Sequence, residues 1–99
     1  MSDIDTKAFD VSEHLRTPED IADYLQAALD DGEGDTLLFR AALADALKAH
    51  NRMSGAAASA GISRQGAYKA LSAEGNPSFD TILKLMKAAG LSFEIKAAA

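Results

Sequence analysis

Residues 54 to 71 read SGAAASAGISRQGAYKAL, and the first eight of them are all alanine, glycine or serine. No other stretch limits the fold so strongly. Such small side chains fill no core by themselves and are useful where two backbones must approach closely, as in two short helices crossing through a tight turn. The spacing predicts a first helix capped by Ser54 and ending at Ala60, a turn at Gly61, and a second helix from Arg64 to Leu71 capped by Ser63. Ala57 and Gly61 face the turn, while Ile62, Ala67, Ala70 and Leu71 anchor the second helix. At 100° per residue, Arg64, Tyr68, Gln65 and Lys69 then share an arc of about 140°, a polar face left free of the core.

Three further helices are predicted around this pair. Thr17 caps a helix from Pro18, with Glu19 and Asp20 at its positive end, and Ile21, Tyr24, Leu25, Ala28 and Leu29 recur at helical spacing inside an acidic exterior. Asp30-Asp31-Gly32-Glu33-Gly34 ends it. Asp35 caps a helix from Thr36 to about His50, with Leu38, Phe39, Ala42, Leu43, Ala46 and Leu47 inward and a mainly basic arc of Arg40, Asp45, Lys48 and Arg52 outward. Ser78 opens the last helix, Phe79 to Ala89, with Ile82, Leu83 and Met86 inward and Gly90 as its stop. A short helical turn is also expected over residues 9–15. In the tail, Leu91, Phe93 and Ile95 alternate with Ser92, Glu94 and Lys96, the period of a half-buried strand. That strand must pair with the N-terminal segment, a second copy or a partner, and pairing between copies through Leu91, Phe93 and Ile95 is the expectation.

The chain has 99 residues, enough for a single modest core. The expected organisation is an acidic segment over residues 1–34 within the same domain, a core over 35–90, and a strand with a frayed end over 91–99. No apolar run is long enough to cross a bilayer, the first ten residues do not resemble a secretory signal, and the expected location is the cytoplasm. Cysteine is absent, which excludes disulfides, thiolate catalysis and cysteine-ligated zinc. The net charge of −5 conceals a split. Residues 1–34 carry ten acids against Lys7 and Arg16, a net of −8, whereas residues 35–99 carry eight bases against five acids, a net of +3. Opposed halves suggest two partners of opposite sign, or one end screening the other; a solvated acidic face with no partner is the plain alternative.

Two short helices with a polar arc on the second follow the logic of a helix-turn-helix, whose second helix enters the DNA major groove. Arginine bonds guanine in pairs, glutamine bonds adenine, and tyrosine or lysine reaches base or phosphate, so Arg64, Gln65, Tyr68 and Lys69 are the candidate base readers. Ordinary surface helices also carry such residues, and Tyr68 can equally cover the core edge. Ser54, Ser63, Asn76 and Ser78 are candidate phosphate contacts; the turn Gly75-Asn76-Pro77 and the cap at Ser78 have equally good structural roles. His14 and His50 are isolated, with a surface role expected for the first and a helix-end role for the second. No histidine-carboxylate set or phosphate loop is present, so neither an enzyme, a metal site nor a cofactor is expected.

Met53-Ser54, Ala57, Gly61-Ile62-Ser63-Arg64, Gly66, Tyr68 to Ser72 and, most specifically, Glu74-Gly75-Asn76-Pro77-Ser78-Phe79 resemble the addiction-module antidote proteins, small antitoxins with a lambda-repressor-like helix-turn-helix. Phe9-Asp10, Leu15, Thr17 to Ala22 and Tyr24-Leu25 extend the resemblance over roughly residues 9 to 96. It implies an all-α bundle of about five helices that neutralises a small basic ribonuclease toxin of the RelE or HigB type and represses their shared promoter on a double-stranded operator. The acidic half then suits the toxin, and Glu19, Asp20, Asp23 and Asp30 are its candidate contacts. Gly55 and Ala56 depart from the family pattern, lowering helix propensity and core filling in the first motif helix. A stand-alone phage-type regulator, or an interaction module that binds no DNA, are the competing readings.

Overall fold

The computed structural model describes residues 15–98. The helical turn expected over residues 9–15, apart from Leu15 itself, and His14 lie outside them. Five helices follow in order: α1 (Pro18–Gly32), α2 (Leu37–Ala49), α3 (Met53–Ser59), α4 (Arg64–Ala70) and α5 (Phe79–Ala88).

Each start reflects local chemistry. Thr17 and Asp20 form a reciprocal capping box, with the Thr17 hydroxyl accepting from the Asp20 amide and the Asp20 carboxylate accepting from the Thr17 amide. Ser63 Oγ accepts from the Gly66 amide at 2.9 Å and Ser78 Oγ from the Thr81 amide at 3.1 Å, as expected of caps. Two expected caps differ. Asp35 accepts from the Leu37 amide two residues on, an Asx turn leading into α2 from outside, and the cap position itself falls to Thr36. Ser54 sits inside the first turn of α3, whose cap position is Arg52 with no side-chain bond.

Three helix ends repeat one device. At Asn51, Gly61 and Gly90 the backbone enters the left-handed region, and the following amide reaches back to Leu47, Ala57 and Met86 carbonyls respectively. This is the Schellman pattern, which satisfies the last carbonyls of each helix while turning the chain sharply.

The helices enclose a single core whose largest fully buried side chains are Leu15, Leu43, Leu47 and Leu85. Ala42, Ala46, Ala56, Ala57, Ala67 and Ala89 are also buried, so the backbones come close wherever the sequence offers only a methyl. α1 packs chiefly on α2, α5 lies on α3 and α2, and α4 is held chiefly by α3. On α5 the face turned inward carries Leu85, Met86 and Ala89, with Ile82 and Leu83 half-buried, so the apolar stripe is centred one step from the expected one. Leu29 and Leu38, expected inside, are 45% and 50% exposed.

The C-terminal strand is not formed: residues 91–98 have no regular structure and no strand occurs among the described residues. A strand needs a neighbour to bond, and among the described residues this segment has none. Leu91 is half-buried at the core edge, Phe93 packs edge-on against Phe79 with ring centroids 5.5 Å apart, and Ile95 is 86% exposed.

Candidate nucleic-acid interface

α3 and α4 meet at the corner made by Gly61, whose φ of 76° is open to glycine and strained for other residues. The Gly61 amide bonds to Ala58 and the Ile62 amide to Ala57, fixing the direction in which the chain leaves α3. Ala57 and Ala67 are fully buried beside this corner, as the small-residue pattern requires. With Ala67 and Leu71 facing in, α4 turns Arg64, Gln65 and Lys69 to solvent and leaves Tyr68 half-buried.

Arg64 and Tyr68 act as a pair. The guanidinium lies 5.4 Å from the ring centroid, and Arg64 Nη2 approaches the phenol oxygen at 3.5 Å. Stacking over an aromatic face is favourable for a planar cation and narrows the rotamers of a long side chain before any ligand arrives. Tyr68 thus covers the core edge and supports Arg64 at once. Of the candidate phosphate contacts, Ser54, Ser63, Asn76 and Ser78 are all exposed; the Ser63 and Ser78 oxygens accept as caps, and the Ser78 hydroxyl also donates to Thr81 Oγ1 at 3.0 Å.

The basic arc of α2 is largely spoken for. Arg40 Nη1 donates to the carbonyls of Ala70, Ser72 and Gly75 at 3.3, 2.6 and 3.2 Å, gathering the C-terminal end of α4 and the loop beyond it. A cation suits that place, because helix carbonyls left without partners carry partial negative charge. Arg52 donates to the Ala88 carbonyl at 3.3 Å, at the end of α5. Asp45 accepts the Tyr24 hydroxyl at 2.9 Å, joining α2 to α1. Lys48 alone of the four projects freely, being exposed with no side-chain bond among the described residues.

The role of Arg40 escaped the sequence reading, which placed it by helical angle alone. Its one local sign was Gly75. A Cβ there would lie 2.2 Å from the Lys69 carbonyl and 2.5 Å from that of Ala70, so the loop folds directly back onto the end of α4. Tyr24 also gained a partner unforeseen: burial first, then the Asp45 hydrogen bond and charge, raise its pKa above the ordinary 10.0.

On α1, Glu19, Asp23 and Asp30 are exposed, and Asp30 accepts from the Gln26 amide group at 3.1 Å. Asp20 is half-buried and committed to the capping box, receiving the Arg16 and Thr17 amides. The structure therefore brings three of the four acids to one open surface and sets the fourth to holding the helix start. His50 ends α2 as expected, and its Nε2–H donates to the Leu15 carbonyl, tying the first described residue to the bundle. No group of three or more histidine, aspartate or glutamate side chains among the described residues is placed to hold a metal. No helix among them is long and apolar enough to cross a membrane.

The fold and this surface define a small all-helical bundle with an exposed polar and cationic face on one of its two shortest helices. Residues 5–97 match the family model described as probable addiction module antidote protein, and the chain belongs to that family. An uncharacterized protein of Haemophilus influenzae (strain ATCC 51907 / DSM 11121 / KW20 / Rd) is 48% identical over 90 residues, 91% of this chain and 90% of its own length. No solved structure matches the chain. An antidote is the half of an addiction module that counters a toxin, so membership implies a toxin partner.

Proposed function

We propose that this protein is the antitoxin of a type II toxin–antitoxin module, a cytoplasmic binding protein rather than a catalyst. It binds and neutralises a small basic ribonuclease toxin of the RelE or HigB type, and it represses its own operon by using α3 and α4 as a helix-turn-helix on operator DNA. The observation that carries the DNA half is the corner at Gly61, which leaves Arg64, Gln65 and Lys69 exposed on α4 while Tyr68 braces Arg64. Arg64 and Gln65 stand at the N-terminal end of α4, where a helix lying in a major groove meets base edges. Tyr68 and Lys69, one turn on, reach base or backbone; Ser54, Ser63, Asn76 and Ser78 lie on exposed positions suited to phosphate.

A two-fold operator calls for two copies. The tail supplies the means: Ile95 is exposed, and among the described residues no backbone hydrogen bond holds residues 92–96. Pairing of two such tails through Leu91, Phe93 and Ile95 gives each a neighbour to bond. Toxin binding falls to the acidic exterior of α1, where Glu19, Asp23 and Asp30 are exposed and Asp20 fixes the helix start.

A mobility shift on a duplex carrying the region immediately upstream of its own reading frame tests the repressor role. Arg64→Ala and Gln65→Ala are expected to weaken the complex by about 1–3 kcal/mol each and to relax sequence preference. Lys69→Ala is expected to reduce the salt slope by about 0.9 if that lysine sits on a phosphate. Unchanged shifts in folded Arg64 and Gln65 variants would remove the DNA reading.

A further inference from the structure

An open groove of about 800 Å³ runs between α1, α2, α5 and the tail, with Ala22, Leu29, Phe39, Phe79, Ile82 and Phe93 among its walls. Leu29, Phe79 and Phe93 are 45%, 62% and 55% exposed there, far more large apolar surface in one place than a small bundle gains from leaving in water. Its α1 lip has a definite charge. Taking Ala22 as 0°, the groove residues Leu29 and Gln26 lie at about 340° and 40°, and Glu19, Asp30 and Asp23 follow at about 60°, 80° and 100°. An unbroken acidic stripe thus edges the apolar walls.

Within α1 no base offsets that stripe, and Arg16 precedes the helix. Residues 17–34 hold six acids and no base. Arg40, on the opposite wall, has Nη1 turned to three backbone carbonyls, and the tail brings one base, Lys96, and one acid, Glu94. A second copy docked two-fold through this lip would set three acids against three, so the charge selects a different occupant. We infer that the groove receives a basic protein segment with apolar anchors, its side chains filling the space between Leu29 and Phe79 while its lysines or arginines meet Glu19, Asp23 and Asp30. This rests on the toxin-binding reading and adds to it the apolar half of the contact.

The test uses the full chain and the purified product of the reading frame adjacent to its own gene, with affinity and association rate measured across a salt series. Phe79→Ser and Leu29→Ser remove exposed apolar surface and add no charge; each is expected to weaken the complex about tenfold or more at every salt concentration. Asp23→Asn with Asp30→Asn keeps the shape and is expected to slow association at low salt and to flatten the salt dependence. Circular dichroism and sedimentation of the same variants separate loss of contact from loss of fold or of assembly. If the wild-type complex forms and the folded Phe79 and Leu29 variants bind within about twofold of it, the groove assignment falls and the antitoxin reading stands. If those variants dissociate a dimer while keeping affinity for the neighbour's product, the groove belongs to a second copy and the inference is overturned. If the wild-type chain binds no such product, both readings fall together.

Discussion

Arg40 is the residue whose loss should reach farthest. Its Nη1 has two hydrogens for three carbonyl acceptors, so the bonds to Ala70 and Gly75, at 3.3 and 3.2 Å, share what the 2.6 Å bond to Ser72 leaves. Two charge-assisted bonds at a half-buried site contribute about 1.5 kcal/mol each at the low end of the range. Arg40→Met keeps much of the aliphatic stem and removes the donors, which sets its expected cost at about 2–3 kcal/mol once partial rehydration of the carbonyls is allowed for. For a chain of this size that lowers Tm by about 8–20 °C. Arg40→Lys should recover less than half, since an ammonium on a flexible stem does not match three separated acceptors as a guanidinium does. Thermal and urea unfolding read the stability, and amide exchange reads the place: the Ser72 and Gly75 amides, which bond back to Lys69 and Ser72, should lose protection. Because α4 is otherwise held chiefly by α3, operator affinity should fall as well, with the salt slope kept. Were Arg40→Met to unfold within about 0.5 kcal/mol of wild type, the three bonds would be ornamental and the positioning argument wrong; a reduced salt slope would instead make Arg40 a phosphate contact.

Gly75→Ala should be more severe than an ordinary loop substitution, costing about 1–3 kcal/mol in denaturant unfolding, because its methyl meets backbone oxygen rather than a movable side chain. Gly55→Ala should do the opposite. Position 55 is exposed within α3 with nothing near a Cβ, so a gain of about 0.8–1 kcal/mol is expected, and a lower Tm would contradict the propensity argument. Tyr24→Phe removes the bond to Asp45 and should cost about 1 kcal/mol at neutral pH. Since the folded protein raises the Tyr24 pKa, wild-type stability from this group is fully present below the unfolded value of 10.0 and is lost as pH rises through the folded one. The gap between wild type and Tyr24→Phe should therefore hold constant up to about pH 9.5 and close above it; a gap that widened with pH would reverse the assignment.

Most helix starts and stops were legible in the sequence because their chemistry is local, Asp35 and Ser54 being the two caps that moved by a residue or two. Thr17 with Asp20, Ser63 and Ser78 bond within three residues, and Gly61 and Gly90 answer to the geometry of a single turn. The exposed face of α4 was legible for the same reason, since seven residues at a fixed angle leave little choice once Ala67 and Leu71 face inward. What failed depended on distant parts of the chain. Leu29 and Leu38 carry the right periodicity for burial, yet no described element covers them, and periodicity reports which face is apolar rather than whether anything packs on it. The tail alternates as a strand should, but alternation offers a ladder without supplying its other half. Arg40 shows the limit most plainly. Angle around α2 assigned it to the outer surface beside Lys48, where a free arginine would read as a phosphate contact. Its guanidinium instead turns to carbonyls 30 to 35 residues further along the chain. A helical wheel fixes where a side chain leaves the backbone, and for a side chain as long as arginine the nearest unsatisfied helix end decides where it arrives. On the repressor reading, the cations left exposed for DNA on these two helices are therefore Arg64 and Lys69 on α4 and Lys48 on α2, without Arg40, and a salt slope no larger than that smaller set allows is the expected result.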